Sequence, residues 1–433
     1  MIREKLYRDP VHDLISLDKN SREDRCIMQL IDTPQMQRLR RIRQLGLASL
    51  SFQGAEHSRF THSLGVMWIA TRILGQLAKE WPISQMQATA VRCAALLHDV
   101  GHGPFSHIFE VFLGMSHETW TRRIILSAGS EVHRVLRAFS PDLPRKVAGI
   151  IEGQGTPPFL SQIISSQLDA DRFDYLLRDS AMTGVKYGVF DFERLLKVLR
   201  LDPRGKRIVV SQNGIHPVEK YLQARYHMYS QVYQHKTVRA AETMLALTLR
   251  RATELSGESA QESLASNRCL ARLLTKGDRI PLPDYLGLTD EVVLGALDDW
   301  RTATDPVLRD LATRLLERRL FKTIDVSQVR GLKAKLGAAK AEISRLGVDP
   351  RYYLALDESG SVAYRPYDSS GVESGRHIMV EAKAFPGAYA DIHDLSEVVA
   401  GLSRAACTTR RIAFPEKLSG TNLRERMTRI FLG

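Results

Sequence analysis

The stretch from Ser84 to Pro104 constrains this chain more than any other. Ser84 with Gln87 three residues on is a capping-box pattern: the Ser oxygen accepts from the N3 amide and the Gln side chain bonds back to the N-cap amide. Val91, Ala94 and Leu97 then recur at helical spacing, so one face of this helix is apolar. The helix runs out at His98-Asp99, because Gly101 and Gly103-Pro104 do not continue it. A buried helix that ends in an ionisable pair needs other elements around that end. Two metal-competent groups thus sit where a mostly buried helix ends, although as an isolated pair His98 would serve to cap that end through its dipole and Asp99 to start a turn.

The same period recurs through much of the chain. Thr33 before Pro34 is an N-cap with Pro at N1, and Met36, Leu39, Ile42 and Leu45 predict a helix running to Gly46. A second helix opens near His62 with Val66, Ile69, Ile73 and Leu77. Residues 1 to 215 read as helices joined by short turns, apart from a small hairpin at about 199 to 210, signalled by Asp202-Pro203-Arg204-Gly205. Helical patterning resumes from Val218 to about Leu255 and through residues 260 to 347, broken near Pro281 and Pro283. Beyond Gly347 the period changes, with short extended runs at Tyr352 to Leu356, Val362 to Tyr364 and Ile378 to Glu381. The expected fold is mainly α, with a core over 1 to 260, a helical extension over 261 to 345 and a small α/β region over 346 to 433.

Charge narrows the partners. Lys and Arg number 61 against 49 Asp and Glu, a net +12 with histidines neutral, which favours a polyanion: nucleotide phosphates, nucleic acid or an anionic surface. Four scattered cysteines, Cys26, Cys93, Cys269 and Cys407, make neither a disulfide framework nor a CxxC zinc site. No window approaches 18 uninterrupted apolar residues and the N-terminus has no apolar leader, so a cytoplasmic protein without a membrane partner is expected. A P-loop and a GxGxxG fingerprint are both missing from the sequence, which argues against P-loop kinase, ATPase and Rossmann dehydrogenase chemistry.

Six of the thirteen histidines, His57, His62, His98, His102, His107 and His117, fall between residues 57 and 117. Neutral imidazole ligates divalent metals, and protonated imidazole serves as a general acid or phosphate donor. Farther on, LDADRFDYLLRD at 168 to 179 places Asp171, Tyr175 and Asp179 at i, i+4 and i+8, one polar face of a helix. Arg225, Tyr229 and Tyr233 repeat that spacing, a pattern suited to an anion beside a ring.

These residues resemble a known family. His62, His98-Asp99 and Asp171 look like the H…HD…D ligand set of HD-domain metal-dependent phosphohydrolases. Within that superfamily DPVH at 9 to 12, IDTPQMQRLRRIRQLG at 31 to 46, FQGAEHSRFTHSLGV at 52 to 66, LLHDVGHGPFSH at 96 to 107, DADRFDYLLRD at 169 to 179 and YQHK at 233 to 236 resemble the deoxynucleoside triphosphate (dNTP) triphosphohydrolases. The resemblance implies an HD-domain helical core that hydrolyses a dNTP to the deoxynucleoside and triphosphate. It implies a divalent Mn, Mg or Fe ion on His62, His98, Asp99 and Asp171. His117 and Glu110 match a proton-transfer pair, Glu standing where animal members of the family have Asp. Arg59, His102, His107 and Arg172 match phosphate contacts, Arg172 replacing a Lys. Gln44, Leu45 and Asp179 match contacts to the deoxyribose 3′-OH, and Tyr175 and Tyr233 match the wall of the sugar, with Arg225 and Gln234 beside them. Asp32, Gln37 and Arg40 match a second, activating site for a guanine nucleotide, whose N1-H and N2-H suit an Asp and whose O6 and N7 suit an Arg. Arg8 and Leu14 depart from that site, replacing Asn and His. A homo-oligomer, dimer or tetramer, is implied as well.

Without the resemblance, two His and two Asp still leave coordination positions open on a six-coordinate ion, and hydrolysis follows more naturally than redox chemistry. Two alternatives stand beside the dNTPase reading: an HD phosphohydrolase of another nucleotide, such as an alarmone, a monophosphate or an oligonucleotide, and a nucleic-acid-binding or nucleotide-sensing regulator.

Overall fold

Both halves of the Ser84 capping box are formed, and the helix Gln85–Leu97 that follows buries Val91, Ala94 and Leu97 completely. This computed structural model describes residues 3–256, 267–362, 377–382, 388–404 and 406–433. Helix Gln85–Leu97 packs on helix Arg59–Leu77, which in turn packs on helix Ala170–Thr183. Gly65 makes the second contact close: a Cβ there would lie 1.9 Å from Asp174 Oδ1 and 2.5 Å from Arg178 Nη2. Ile69, Ile73, Val91, Phe173 and Leu176 share the resulting apolar core.

The chain between residues 34 and 46 differs from the expected single helix. Thr33 caps a helix Pro34–Arg38 and one 3-10 turn follows at Leu39–Arg41, but Ile42 is extended at φ −129° and ψ 113°. Here the backbone finds better partners than the i−4 carbonyls. Arg43 N donates to Asp290 Oδ2 at 2.8 Å, Gln44 N to His57 O at 2.9 Å, and Arg59 N back to Ile42 O at 2.9 Å. Gly46, at φ +52°, serves an open turn rather than a helix end. The N-terminus is also not helical. Glu4–Asp9 and Asp13–Asp18 pair as an antiparallel hairpin, and the alternation of buried Ile15 and Leu17 is its period-two signal.

The hairpin at 199 to 210 is present, Leu199–Leu201 against Ile208–Val210. Met379–Glu381 extends it in parallel and Tyr389–Asp391 pairs beyond, so the C-terminal chain returns to the first core through Ile378, Val380, Ile392 and Val399. Helix Ile215–Met228 runs into a π-helical turn, Tyr229–Tyr233, before helix Lys236–Leu255. A three-stranded antiparallel sheet orders Lys322–Asp325, Ala406–Phe414 and Ala355–Val362. Its first strand lies where helix is expected. Tyr352 and Tyr353, expected in a strand, form a helical turn because Asp349 caps Pro350–Tyr353. Val362 ends its strand, and Ala363 and Tyr364 lie outside the described residues. A second apolar core joins Phe105, Phe109 and Trp120 to Leu245 and Leu249 of helix Lys236–Leu255 and to Ile412 and Phe414 of the sheet. Among the described residues no helix is long and apolar enough to cross a membrane.

Candidate active site

Three helices bring the four proposed ligands together. His62 comes from the first turn of Arg59–Leu77, His98 and Asp99 from the end of Gln85–Leu97, and Asp171 from the first turn of Ala170–Thr183, which Asp169 caps. Asp171 Oδ1 lies 3.0 Å from His62 Nε2 and 3.6 Å from His98 Nε2, and Asp99 Oδ1 lies 3.2 Å from His98 Nε2. His62, His98 and Asp99 are buried together as a group that can hold a metal ion. Each imidazole is oriented from behind. His62 Nδ1 meets Asp174 Oδ2 at 2.8 Å, and His98 Nδ1 donates to Ala95 O at 2.9 Å, leaving His98 Nε2 buried with no hydrogen-bond partner. Outer-layer bonds of this kind fix a ligand's tautomer.

The electrostatics favour a cation at the same point. Burial opposes charge on His62, yet Asp171 and Asp174 outweigh it and push its pKa up to about 10. Burial likewise opposes ionised Asp99 and Asp171, but His98, His102 and Arg59 hold Asp99 well below the usual carboxylate range, and His62 and His98 hold Asp171 low. Two imidazoles and two carboxylates fit a Mn, Mg or Fe ion in an open site.

A cavity of about 360 Å³ opens onto this cluster and is lined by Asp99, Asp171, the cations Arg59 and Arg172, and the imidazoles of His102 and His117. Gln44, Leu45, Tyr175, Asp179 and Tyr233 line it too. Arg59 spans the site, its Nη1 2.5 Å from Asp99 Oδ2 and its Nε donating to Ser106 Oγ at 3.0 Å. Arg172 Nε is steadied by Ser166 O at 2.7 Å and Asp169 Oδ2 at 3.1 Å. His117 Nδ1 bonds closely to Glu110 Oε1, and its ring stacks on His102 with centroids 3.7 Å apart and planes 13° from parallel. Burial, then Arg59, pushes the His102 pKa well below the ordinary imidazole value. His107 opens helix His107–Leu113, and its side chain lies outside the described part of the structure.

Asp179 is gripped from two sides: His57 Nε2 bonds Oδ1 at 2.8 Å and Tyr233 Oη donates to Oδ2 at 2.8 Å. Tyr175 Oη is buried without a hydrogen-bond partner. Arg225 and Gln234 are not in the lining. Arg225 is buried behind it, donating from Nη1 to Gln167 Oε1 at 2.7 Å, and the Gln234 carbonyl accepts from Arg411 Nη1 at 2.7 Å. Asp32, Gln37 and Arg40 stand apart from the cavity, near the N-terminal hairpin. Lys5 Nζ lies 3.4 Å from Asp32 Oδ2, Arg40 Nε donates to Gln37 Oε1 at 2.8 Å, and the Arg40 guanidinium covers the Phe60 ring at 3.7 Å.

Several supporting groups escaped sequence reasoning. Arg178 forks onto Asp174 through Nε and Nη2, at 2.8 and 2.9 Å, while its Nη1 reaches Asp9 Oδ2 at 2.8 Å; His12 Nε2 meets Asp174 Oδ1 at 2.6 Å. DPVH at 9 to 12, noticed only as a motif, thus braces the residue that orients His62. The loop 101 to 106 is pinned from afar: Tyr285 Oη donates to Gly101 O at 2.7 Å, Arg38 Nη1 to His102 O at 2.8 Å, and Phe105 N to Asp290 Oδ1 at 2.9 Å.

Comparison with known proteins places the chain in a family. Residues 59–179 match the HD domain and residues 190–268 the HD associated region. The chain is 38% identical to the uncharacterized protein YwfO of Bacillus subtilis over 96% of its own length and 93% of the relative's. It is 30% identical to the human deoxynucleoside triphosphate triphosphohydrolase SAMHD1 over 76% of its length, spanning 56% of that longer protein. Among solved structures, a phosphohydrolase from Bacteroides thetaiotaomicron superposes with a TM-score of 0.78 at 30% identity, covering 95% of this chain and 99% of that one.

Proposed function

This chain belongs to the HD-domain phosphohydrolases, and on that premise we propose that it hydrolyses dNTPs to the deoxynucleoside and inorganic triphosphate. The observation that carries the reading is the single cavity lined at once by metal-competent carboxylates, by Arg59 and Arg172, and by the Tyr175, Asp179 and Tyr233 wall. When bound, a divalent ion supplies Lewis acidity toward the phosphoryl group and lowers the pKa of a water. His62, His98, Asp99 and Asp171 would hold it. The rest of the chemistry is the chain's own. Arg59 and Arg172 offset charge that grows on the phosphate oxygens as the α-phosphorus is attacked, and the neutral imidazole of His102 would donate a hydrogen bond to them. His107, at the first position of the helix that follows that loop, is assigned to the phosphates as well.

Cleavage of the bond between the α-phosphorus and O5′ leaves an alkoxide that must gain a proton. Glu110 holds His117 by Nδ1, so Nε2 is the atom from which that proton would be given. Asp179, held by His57 and Tyr233, would accept from the 3′-OH, Gln44 and Leu45 would lie against the sugar, and the Tyr175 ring would exclude a 2′-OH by bulk. Arg225 and Gln234 would act from behind this wall. A guanine nucleotide at Asp32, Gln37 and Arg40 is proposed as activator, in a homo-oligomer. The test is purified protein with Mn²⁺, single dNTPs and then pairs that include dGTP or GTP, with products separated by anion exchange. Intact triphosphate is expected. Release of pyrophosphate or monophosphate instead, or no product from any pair, would overturn the reading.

A further inference from the structure

One charged pair in the cavity lining has no part in the scheme above. Arg239 and Glu242, on the first turns of helix Lys236–Leu255, line the same cavity as the metal cluster. Arg239 Nη1 donates to Glu242 Oε2 at 2.7 Å, and both side chains are mostly buried. The guanidinium is held from behind by Asp357, which accepts from Nε at 3.2 Å and from Nη2 at 2.5 Å and is itself buried. Asp357 belongs to strand Ala355–Val362, and its register partner on the neighbouring strand is Arg411. Arg411 Nη1 bonds the carbonyl of Gln234, just after the π-helical turn that carries Tyr229 and Tyr233. Two side chains facing each other across the C-terminal sheet therefore grip the cavity wall on either side of residues 235 to 238. Arg239 is pinned by two carboxylates, and burial, although it opposes the charge, is outweighed by Asp357 and Glu242.

Resting on the dNTPase reading, we propose that Arg239 and Glu242 form the base-facing part of the cavity and that Asp357 and Arg411 are positioning residues that hold it. The assignment follows by elimination. The other charged groups of the lining are Arg59, Asp99, Asp171, Arg172 and Asp179, and the reading commits all of these to metal, phosphates and sugar. What a nucleoside triphosphate still presents is its base, whose edge carries N–H donors and carbonyl or ring-nitrogen acceptors. A carboxylate beside a guanidinium complements such an edge, and charge-assisted bonds of this kind discriminate more strongly than neutral ones. Guanine suits the pair best, because its N1-H and N2-H lie side by side for a carboxylate and its O6 is next to them for an Arg.

The test measures kcat/KM for the four dNTPs, with metal content, on the wild type and two variants. Glu242→Gln, which replaces a carboxylate oxygen by an amide, is expected to lower the value for dGTP about tenfold relative to dTTP. Asp357→Asn, which touches no substrate, is expected to shift the same ratio in the same direction by about threefold, mainly through KM, with Asp357→Glu restoring part of it and metal content unchanged. If Glu242→Gln scales all four substrates by one factor, the base-facing assignment is wrong, whatever Asp357→Asn does. If Asp357→Asn folds and leaves the ratio untouched, its positioning role is wrong. A metal-loaded wild type that releases triphosphate from no dNTP overturns the dNTPase reading itself and this inference with it, an outcome distinct from both.

Discussion

His98 becomes a candidate ligand through what its other nitrogen does. The Ala95 carbonyl accepts from Nδ1–H, so in the neutral ring Nε2 carries the lone pair, directed at a buried point flanked by Asp99 and Asp171. His98→Ala is therefore expected to lower bound metal per chain at least tenfold and to abolish activity. The metal-free protein should still unfold cooperatively, at a lowered melting temperature, since the removed ring frees the Ala95 carbonyl and takes counter-charge from the buried Asp99 and Asp171. Plasma mass spectrometry and calorimetry check the two halves separately. Glu110 differs in kind: it bonds His117 Nδ1, and on the proposed scheme it holds that ring for proton delivery. Glu110→Gln is expected to reduce kcat about a hundredfold while metal content and KM hold; a loss of metal would show instead that the pair belongs to the ligand shell. Histidines clustered within one stretch of sequence are easy to suspect. Their supports are not, because Asp174 meets His62 across 112 residues, Arg38 meets the His102 carbonyl across 64 and Asp290 meets Phe105 across 185. No local pattern announces a partner at such separation.

Among elements, those with a strong local signal appear as expected. The capping box, the 3.6-residue stripes and the Asp171, Tyr175, Asp179 face all rest on side chains close in sequence, so their geometry is decided locally. The segment after Arg41 shows the opposite case, since its amides donate to Asp290 and His57 and its Ile42 carbonyl accepts from Arg59 at the start of the next helix, and an apolar stripe carries no information about that competition. Gly65 marks where two elements meet most tightly. Gly65→Ala would push a Cβ into the Asp174 and Arg178 pair, which is buried and braced on all sides, so a cost of about 3 kcal/mol or more is expected in urea unfolding, despite the better helix propensity of Ala. Asp305 supplies a pH test far from the metal cluster. It caps helix Pro306–Leu316 and pairs with Arg251, whose hydrogen bond holds the carboxyl below its ordinary value against the effect of burial. A depressed folded pKa means that the stabilisation is present above the unfolded value of about 3.9 and is lost as pH falls through the folded one. The stability gap between wild type and Asp305→Asn should thus be open at pH 6 and narrow below pH 4.

At the scale of the molecule, the last ninety or so residues are not an appendage hung on a finished core. Strands Met379–Glu381 and Tyr389–Asp391 extend the hairpin of Leu199–Leu201 and Ile208–Val210 into a four-stranded sheet, and Ile378, Val380, Ile392 and Val399 fill the first apolar core. The second core depends on the same region even more, because Ile412, Ala413, Phe414, Leu423, Met427 and Phe431 pack with helix Lys236–Leu255 and with Phe105 and Phe109 beside the candidate site. The change of period after Gly347 is legible in the sequence, but it says only that strands follow, not which helices they cover. A chain ended at residue 345 would uncover both cores at once. Each fully buried large apolar side chain contributes roughly 1.5–3 kcal/mol, so the loss of the five large ones among these, Ile412, Phe414, Leu423, Met427 and Phe431, is comparable to the whole stability of a typical domain, about 5–15 kcal/mol. The shortened chain is therefore expected to be insoluble or to lack a cooperative thermal transition. Circular dichroism and calorimetry on the soluble fraction decide it. A soluble residue 1–345 fragment that melts cooperatively and retains the metal would show that the sheet only leans on the core, and the grip of Asp357 and Arg411 on the cavity wall would then have to be reconsidered.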